Sequence, residues 1–341
     1  MSKFMKTIST LKTLMIFTSS LLFIQCTSEP KTIAGADGAD GVDGTASCVA
    51  CHSNSHRDPI KSAYAISGHA IGETFVRGTN GSCAACHSNE GFIDFVNLGE
   101  ANPDGYTNPT VISCTTCHDK HGSFDFNNDG YDFALRTFEP VPLRLINPDY
   151  SIDLGDKSNT CVNCHQPRTG DPTDDGTGLV TITNTRFGPH HGPQSTILEG
   201  IGGAQLAGSV SYPAVGSATH RSGSSCVKCH MGETTDGNDG SHSNWATANA
   251  CIACHTDGAP SEVSGLASDL AMLEILLGNV VSQDGTVTGI VIDGHSNPGT
   301  FTFQQAQAAW NFITVMEDNS KGVHNPAYTK ALIKNSIEAL D

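Results

Sequence analysis

The sequence predicts a mainly α-helical, loop-rich chain with little regular sheet, whose interior is filled largely by something other than side chains. Three observations predict it. Of the 341 residues only 6% are aromatic and 38% hydrophobic, against 36 Gly and 15 Pro, and such a chain buries too little apolar surface to offset its conformational entropy. The pattern Cys-x-x-Cys-His occurs six times. Beyond residue 259 apolar residues recur at helical spacing.

Residues 1–25 have the pattern of an export signal. Lys3, Lys6 and Lys12 make a basic start, and the uncharged stretch from Thr13 to Gln25 is too short for a membrane-spanning helix. Cys26 closes the run Leu-Phe-Ile-Gln-Cys and is followed by polar Thr27, Ser28 and Glu29. This resembles a bacterial lipoprotein signal, with Cys26 as the lipid-modified residue, although Gln25 stands where a small residue is usual. In residues 26–45, Gly35, Gly38, Gly41 and Gly44 alternate with alanine, valine and aspartate. The run is too short and too proline-poor for a triple helix, and predicts an acidic flexible tether. The net charge is −17, and losing residues 1–25 removes three lysines and no acid, giving −20. Nucleic acid is thereby excluded as a partner. A basic redox protein, a mineral or a small oxidant remains.

Residues 46–258 carry the six motifs. Their cysteines and histidines are Cys48, Cys51 and His52; Cys83, Cys86 and His87; Cys114, Cys117 and His118; Cys161, Cys164 and His165; Cys226, Cys229 and His230; and Cys251, Cys254 and His255. The spacing is that of c-type haem attachment, in which two thiols add to the vinyl groups of one porphyrin and the adjacent histidine ligates the iron. A disulfide framework would not need the histidine, and a structural zinc site would need two such pairs on one metal. Six haem c groups are expected, and their attachment outside the bacterial cytoplasm agrees with export. The sites are 25 to 65 residues apart with no fixed period, so the chain is not a solenoid. Short helices are expected around each motif.

Nine histidines lie outside the motifs: His56, His69, His121, His190, His191, His220, His242, His295 and His324. That surplus is enough to put imidazole on both faces of every iron, giving six-coordinate, low-spin haem suited to electron transfer. Met231 is the rival ligand type, but it follows a motif histidine directly and cannot reach the far side of that haem. Several segments resemble the pentahaem nitrite reductase and octahaem cytochrome lineage and extracellular electron-conduit cytochromes. They are Ser67-Gly-His69-Ala, Cys114-Thr-Thr-Cys117-His118-Asp-Lys-His121-Gly, Gly188-Pro-His190-His191-Gly-Pro-Gln194, His220 ahead of Cys226-Val-Lys-Cys229-His230-Met231, Ser241-His242, and Gly322-Val-His324-Asn-Pro326-Ala-Tyr328. The resemblance implies distal ligands at His69, His121, one of His190 and His191, His220, His242 and His324, leaving His56 and His295 spare. It does not extend to the catalytic site of the nitrite reductases, where lysine replaces one motif histidine, because no Cys-x-x-Cys-Lys occurs here.

Asp125, Asn127, Asp129 and Gly130 match the first half of a calcium loop, but its twelfth position is Arg136 rather than Glu. Residues 259–341 form a helical segment expected to pack on the haems. Leu266, Leu270, Leu273 and Leu277 mark one helical face, and Phe303, Ala306, Trp310, Ile313 and Met316 another. Asn325 before Pro326 starts a final helix through Leu340. The chain is thus expected to carry electrons at the outer membrane, at the cell surface or in the periplasm. The alternatives are a multihaem reductase of a small nitrogen or sulfur oxyanion, and a subunit that self-assembles into a conducting filament.

Overall fold

A computed structural model describes residues 46–125, 128, 132–234, 237, 239–260 and 262–341. The export signal read in residues 1–25, Cys26 with its tether to residue 45, and Asn127, Asp129 and Gly130 of the calcium loop lie outside the described residues. Asp125 is described, and its carboxylate accepts from Asn128 Nδ2 at 2.8 Å.

The chain divides into two compact units, Met1–Arg57 and Asp58–Asp341. In the first, the first motif lies on helix α1 (Ala46–His52). Helix α2 (Asn54–Ala65) begins there and ends in the second unit. In the second unit α3 (Gly68–Ile71) is followed by a 3-10 turn, then α4 (Gly81–His87), α5 (Asn89–Leu98) and α6 (Cys114–Cys117). Strands β1 (Val141–Leu143) and β2 (Asn147–Ile152) pair as an antiparallel hairpin. Helix α7 (Asn159–Val162), strand β3 (Leu179–Ile182), and helices α8 (Gln194–Glu199), α9 (Thr219–Gly223), α10 (Ser225–His230) and α11 (Ala248–Ile252) follow. The remainder comprises α12 (Leu266–Asn279), β4 (Val291–Ile292), β5 (His295–Ser296), β6 (Gly299–Thr302), α13 (Phe303–Asp318) and α14 (Pro326–Leu340). Strand β3 pairs antiparallel with distant β6, and β4 with β5. The expected class, mainly helix and loop with little sheet, is the one observed.

Side-chain packing is uneven along the chain, and this follows from where the apolar residues are. The main apolar core joins α12, α13 and α14, with Leu266, Leu273, Leu277, Phe301, Phe312, Tyr328 and Leu332 all buried. These helices bury their stripes against one another and against β3, α8 and Leu206, so an ordinary side-chain core holds this part of the molecule. Met316 is also not part of the stripe, being 47% exposed. Residues 308–315 of α13 are buried on almost every side, so no single face dominates this helix. Buried polar side chains tie the neighbouring loop to it. Asn311 exchanges hydrogen bonds with the backbone of Ala204 at 2.7 and 2.9 Å, Trp310 Nε1 donates to Gly202 O at 2.9 Å, and Tyr328 Oη accepts from Gly203 N at 2.9 Å.

The motif region has a much smaller apolar cluster, Val141, Leu143, Ile152 and Val162, together with buried Ser67, Ser88, Thr116, Ser158 and Asn159. Polar contacts join its helices. Asn89 Oδ1 accepts from Ser113, Thr115 and Thr116 at 3.0, 3.1 and 2.6 Å, tying α5 to the third motif. Arg144 stacks over the Phe95 ring at 3.6 Å and donates to Asn163 O at 2.7 Å, joining α5 to the fourth motif. Ser158 and Ser225 share a hydrogen bond at 2.9 Å, Ser225 donates to Asp156 at 2.6 Å, and Val227 N donates to Ser158 at 3.0 Å. That cluster joins the fourth motif to the fifth.

Candidate metal centres

All six motifs sit on or at the end of a short helix, for a local reason. Cysteines at i and i+3 share one helical face, so both sulfurs point the same way with the histidine one residue beyond. Small polar residues start these turns: Asn80 Oδ1 accepts from Ser82 N at 2.9 Å, Ser113 and Thr116 form a capping box, and Thr247 Oγ1 accepts from Asn249 N at 3.2 Å. Among the described residues no disulfide joins the motif cysteines.

Five motif histidines each face one histidine from elsewhere in the second unit. Ring centroids lie 6.2 Å apart for His165 and His69, 6.1 Å for His87 and His190, and 6.2 Å for His118 and His242. The separation is 6.2 Å for His255 and His220, and 6.4 Å for His230 and His324. An imidazole–metal bond of about 2.0–2.1 Å, with the nitrogen about 1.1 Å from its ring centre, puts two imidazoles sharing one metal about 6.2–6.4 Å apart. The observed separations, 6.1 to 6.4 Å, match that range closely. A pair of imidazoles supplies two of six iron ligands, and a porphyrin supplies the other four. The donor set, two thiols and two imidazoles per site, therefore fits haem c.

The ring nitrogens away from these shared points are held as metal ligands usually are, by oxygen acceptors that fix the tautomer. His118 Nδ1 donates to Phe133 O at 2.7 Å, His220 to Val323 O at 2.5 Å, His230 to Asn244 O at 2.9 Å and His165 to Gln194 Oε1 at 3.3 Å. One acceptor is a carboxylate, Asp318 for His324 at 2.6 Å, and His121, which is not in one of these five pairs, donates to Asp132 at 2.7 Å. Burial lowers His69 and His230. These rings are therefore neutral, the form that binds metal. His87 is lowered by burial and then by Arg77, His191 and Arg168, and His190 by burial and then by His191 and Arg168. At His324 burial pulls the value down, but the hydrogen bond and charge of Asp318 outweigh it and the net shift is upward.

The structure distinguishes His190 from His191. His190 faces His87, whereas the His191 side chain is 74% exposed and donates to Glu317 at 2.5 Å. His191 is thus not the residue placed opposite a motif histidine, and the sequence had no means of choosing between adjacent imidazoles. His295 is exposed on β5 with Nδ1 bonded to Asp293 O at 2.8 Å. His56 is exposed in the first unit.

The motifs also have an order. Cys86 Sγ donates to Asn163 O at 3.8 Å and Cys164 Sγ to Ala85 O at 3.9 Å, so the second motif adjoins the fourth, and the Ser158–Ser225 bond joins the fourth to the fifth. Thr247 N donates to Cys229 O at 2.8 Å, setting the sixth beside the fifth, while Arg136 N donates to Cys117 O at 2.7 Å and Thr160 Oγ1 to Thr137 O at 2.6 Å, setting the third beside the fourth. Sequence reasoning missed Asp132, Asp318, Gln194, Arg77 and Arg168. The one usable signal was an acid within a few residues of a distal candidate, as Asp318 is to His324.

No family model matches the chain, and no curated protein matches it. Among solved structures it is similar to the outer cell wall cytochrome OcwA, at 18% identity and a TM-score of 0.49, over 82% of this chain and 50% of that one. The chain thus spans about half the length of that protein.

Proposed function

We propose that the chain is a c-type cytochrome that binds six haems and carries electrons between partners outside the cytoplasm. The observation that carries this reading is the set of five imidazole pairs at 6.1 to 6.4 Å, each combining one motif histidine with one distant histidine. Bound haem supplies a one-electron ferric–ferrous couple. The chain's own residues do the rest. Each motif's two thiols would hold one porphyrin through thioethers to its vinyl groups, and the paired imidazoles would both ligate its iron. Iron held this way would be low-spin with no position for substrate, which favours a carrier over a reductase. The first motif, Cys48, Cys51 and His52, provides the sixth attachment site.

The hydrogen bonds between motifs support an order for the groups: second motif, fourth, fifth, sixth, with the third beside the fourth. Export through residues 1–25 and lipidation of Cys26 complete the reading, with a basic redox protein or an extracellular acceptor as partner. Among the described residues no helix is long and apolar enough to cross a membrane. The test is the mass and the spin state of the purified protein. Six haems surviving acid-acetone extraction, with low-spin signals alone in paramagnetic resonance, are the expected result. Five or fewer haems, or a full equivalent of high-spin haem in a protein that reduces nitrite, would overturn the proposal.

A further inference from the structure

The five paired sites differ in what lies behind their ligands. At most of them the acceptor for Nδ1 is a neutral carbonyl or amide. At the His230/His324 site it is Asp318, on the last turn of α13, whose side chain is only 1% exposed. One Asp318 oxygen accepts from His324 Nδ1 at 2.6 Å and the other accepts from Ser320 Oγ. Among the described residues no lysine or arginine forms an ion pair with Asp318. Its charge is therefore balanced only through the imidazole, at the place where burial makes it count most. At the His87/His190 site no carboxylate bonds to either paired ring among the described residues; Arg168 N donates to Pro189 O at 2.9 Å beside His190, and Glu317 bonds to the neighbouring His191.

Resting on the function proposed above, we infer that Asp318 sets the reduction potential of the iron between His230 and His324, holding it below that of the iron between His87 and His190. Ferric haem carries one more positive charge than ferrous haem. A carboxylate hydrogen-bonded to the axial imidazole makes that ligand more basic and favours the ferric form. Arginine near the other site favours the ferrous form. Asp318 acts through His324 and is a positioning and tuning residue, not a ligand.

The experiment is a spectroelectrochemical titration of the complete holoprotein, with haem content and paramagnetic resonance recorded on each sample. In Asp318→Asn, one-sixth of the absorbance change moves to higher potential. At its original midpoint the oxidised-to-reduced ratio of that haem falls at least tenfold, which is 59 mV for a one-electron couple. Asp318→Glu restores the low potential, an outcome that a merely structural role would not produce. Ser320→Ala takes one hydrogen bond from the same carboxylate and moves the same haem the other way, so the inference stays testable if the asparagine variant fails to fold. An Asp318→Asn titration that superimposes on the wild type, in a protein with six low-spin haems, overturns the assignment of Asp318. Missing haems or high-spin iron in the wild type would instead overturn the function on which it rests.

Discussion

Gly322 gives a sharp test of how the loop before α14 serves two sites at once. Its φ is +81°, and a Cβ there would lie 2.7 Å from Leu266 Cδ2 and 3.0 Å from Val263 Cγ2. Gly322→Ala therefore costs about 1–2 kcal/mol for the left-handed conformation and about 1–3 kcal/mol for overpacking. Either the Leu266 and Val263 side chains turn aside, or the loop relieves this by moving away from α12. It carries Val323, whose carbonyl holds His220 at 2.5 Å, and His324, held by Asp318 at 2.6 Å. Losing each of those bonds costs about 1–3 kcal/mol, similar to the strain it would relieve, so both sites loosen in a sizeable fraction of molecules. Carbon monoxide titration of the reduced protein measures the effect: uptake rises from none towards two equivalents per six haems, at the irons of His230 and His255. Gly265→Ala is the control. It has the same φ of +81° but nothing within 4 Å of the added carbon, so it loses only the conformational term and binds no carbon monoxide. Six unreactive low-spin haems in Gly322→Ala would refute the reasoning.

Other expectations follow from single contacts. His324→Ala turns about one-sixth of the iron high-spin, while His295→Ala leaves the visible spectrum unchanged, because His295 bonds only within its hairpin. Cys26→Ser releases the protein from membranes and abolishes incorporation of labelled fatty acid; a variant that stays bound contradicts the lipid anchor. Tyr150 donates to Glu199 at 2.8 Å, and burial, followed by that hydrogen bond, pushes its pKa up to about 12. The sign follows from the raised value: the stability contributed is complete below about pH 10 and drains away between pH 10 and 12. Glu199→Gln brings the Tyr150 titration, read as tyrosinate absorbance against a Tyr150→Phe reference, back towards 10.

What the sequence revealed and what it concealed divide along a physical line. The attachment helices were legible because their chemistry is local: two thiols and an imidazole within five residues need nothing from the rest of the chain. The stripe through Leu266, Leu273 and Leu277 was legible for the same reason, since a helix repeats its buried face. The pairing of histidines was not. His69 faces the histidine of the fourth motif, His190 that of the second, His242 that of the third, His220 that of the sixth and His324 that of the fifth. The chain brings the motifs together through contacts distant in sequence, among them those of Asn89, Arg144 and the Ser158–Ser225 pair, which span 19 to 67 residues. Three of the Nδ1 acceptors, Phe133, Val323 and Asn244, act through backbone carbonyls, and any residue type supplies the same oxygen, so no side-chain pattern could announce them. Carboxylate acceptors are different because aspartate is a specific choice. A backbone carbonyl and a buried aspartate hold an imidazole equally well, but only the aspartate brings a charge. Where the chain uses Asp318 rather than a carbonyl, orientation alone does not explain the residue, and the potential of the iron does.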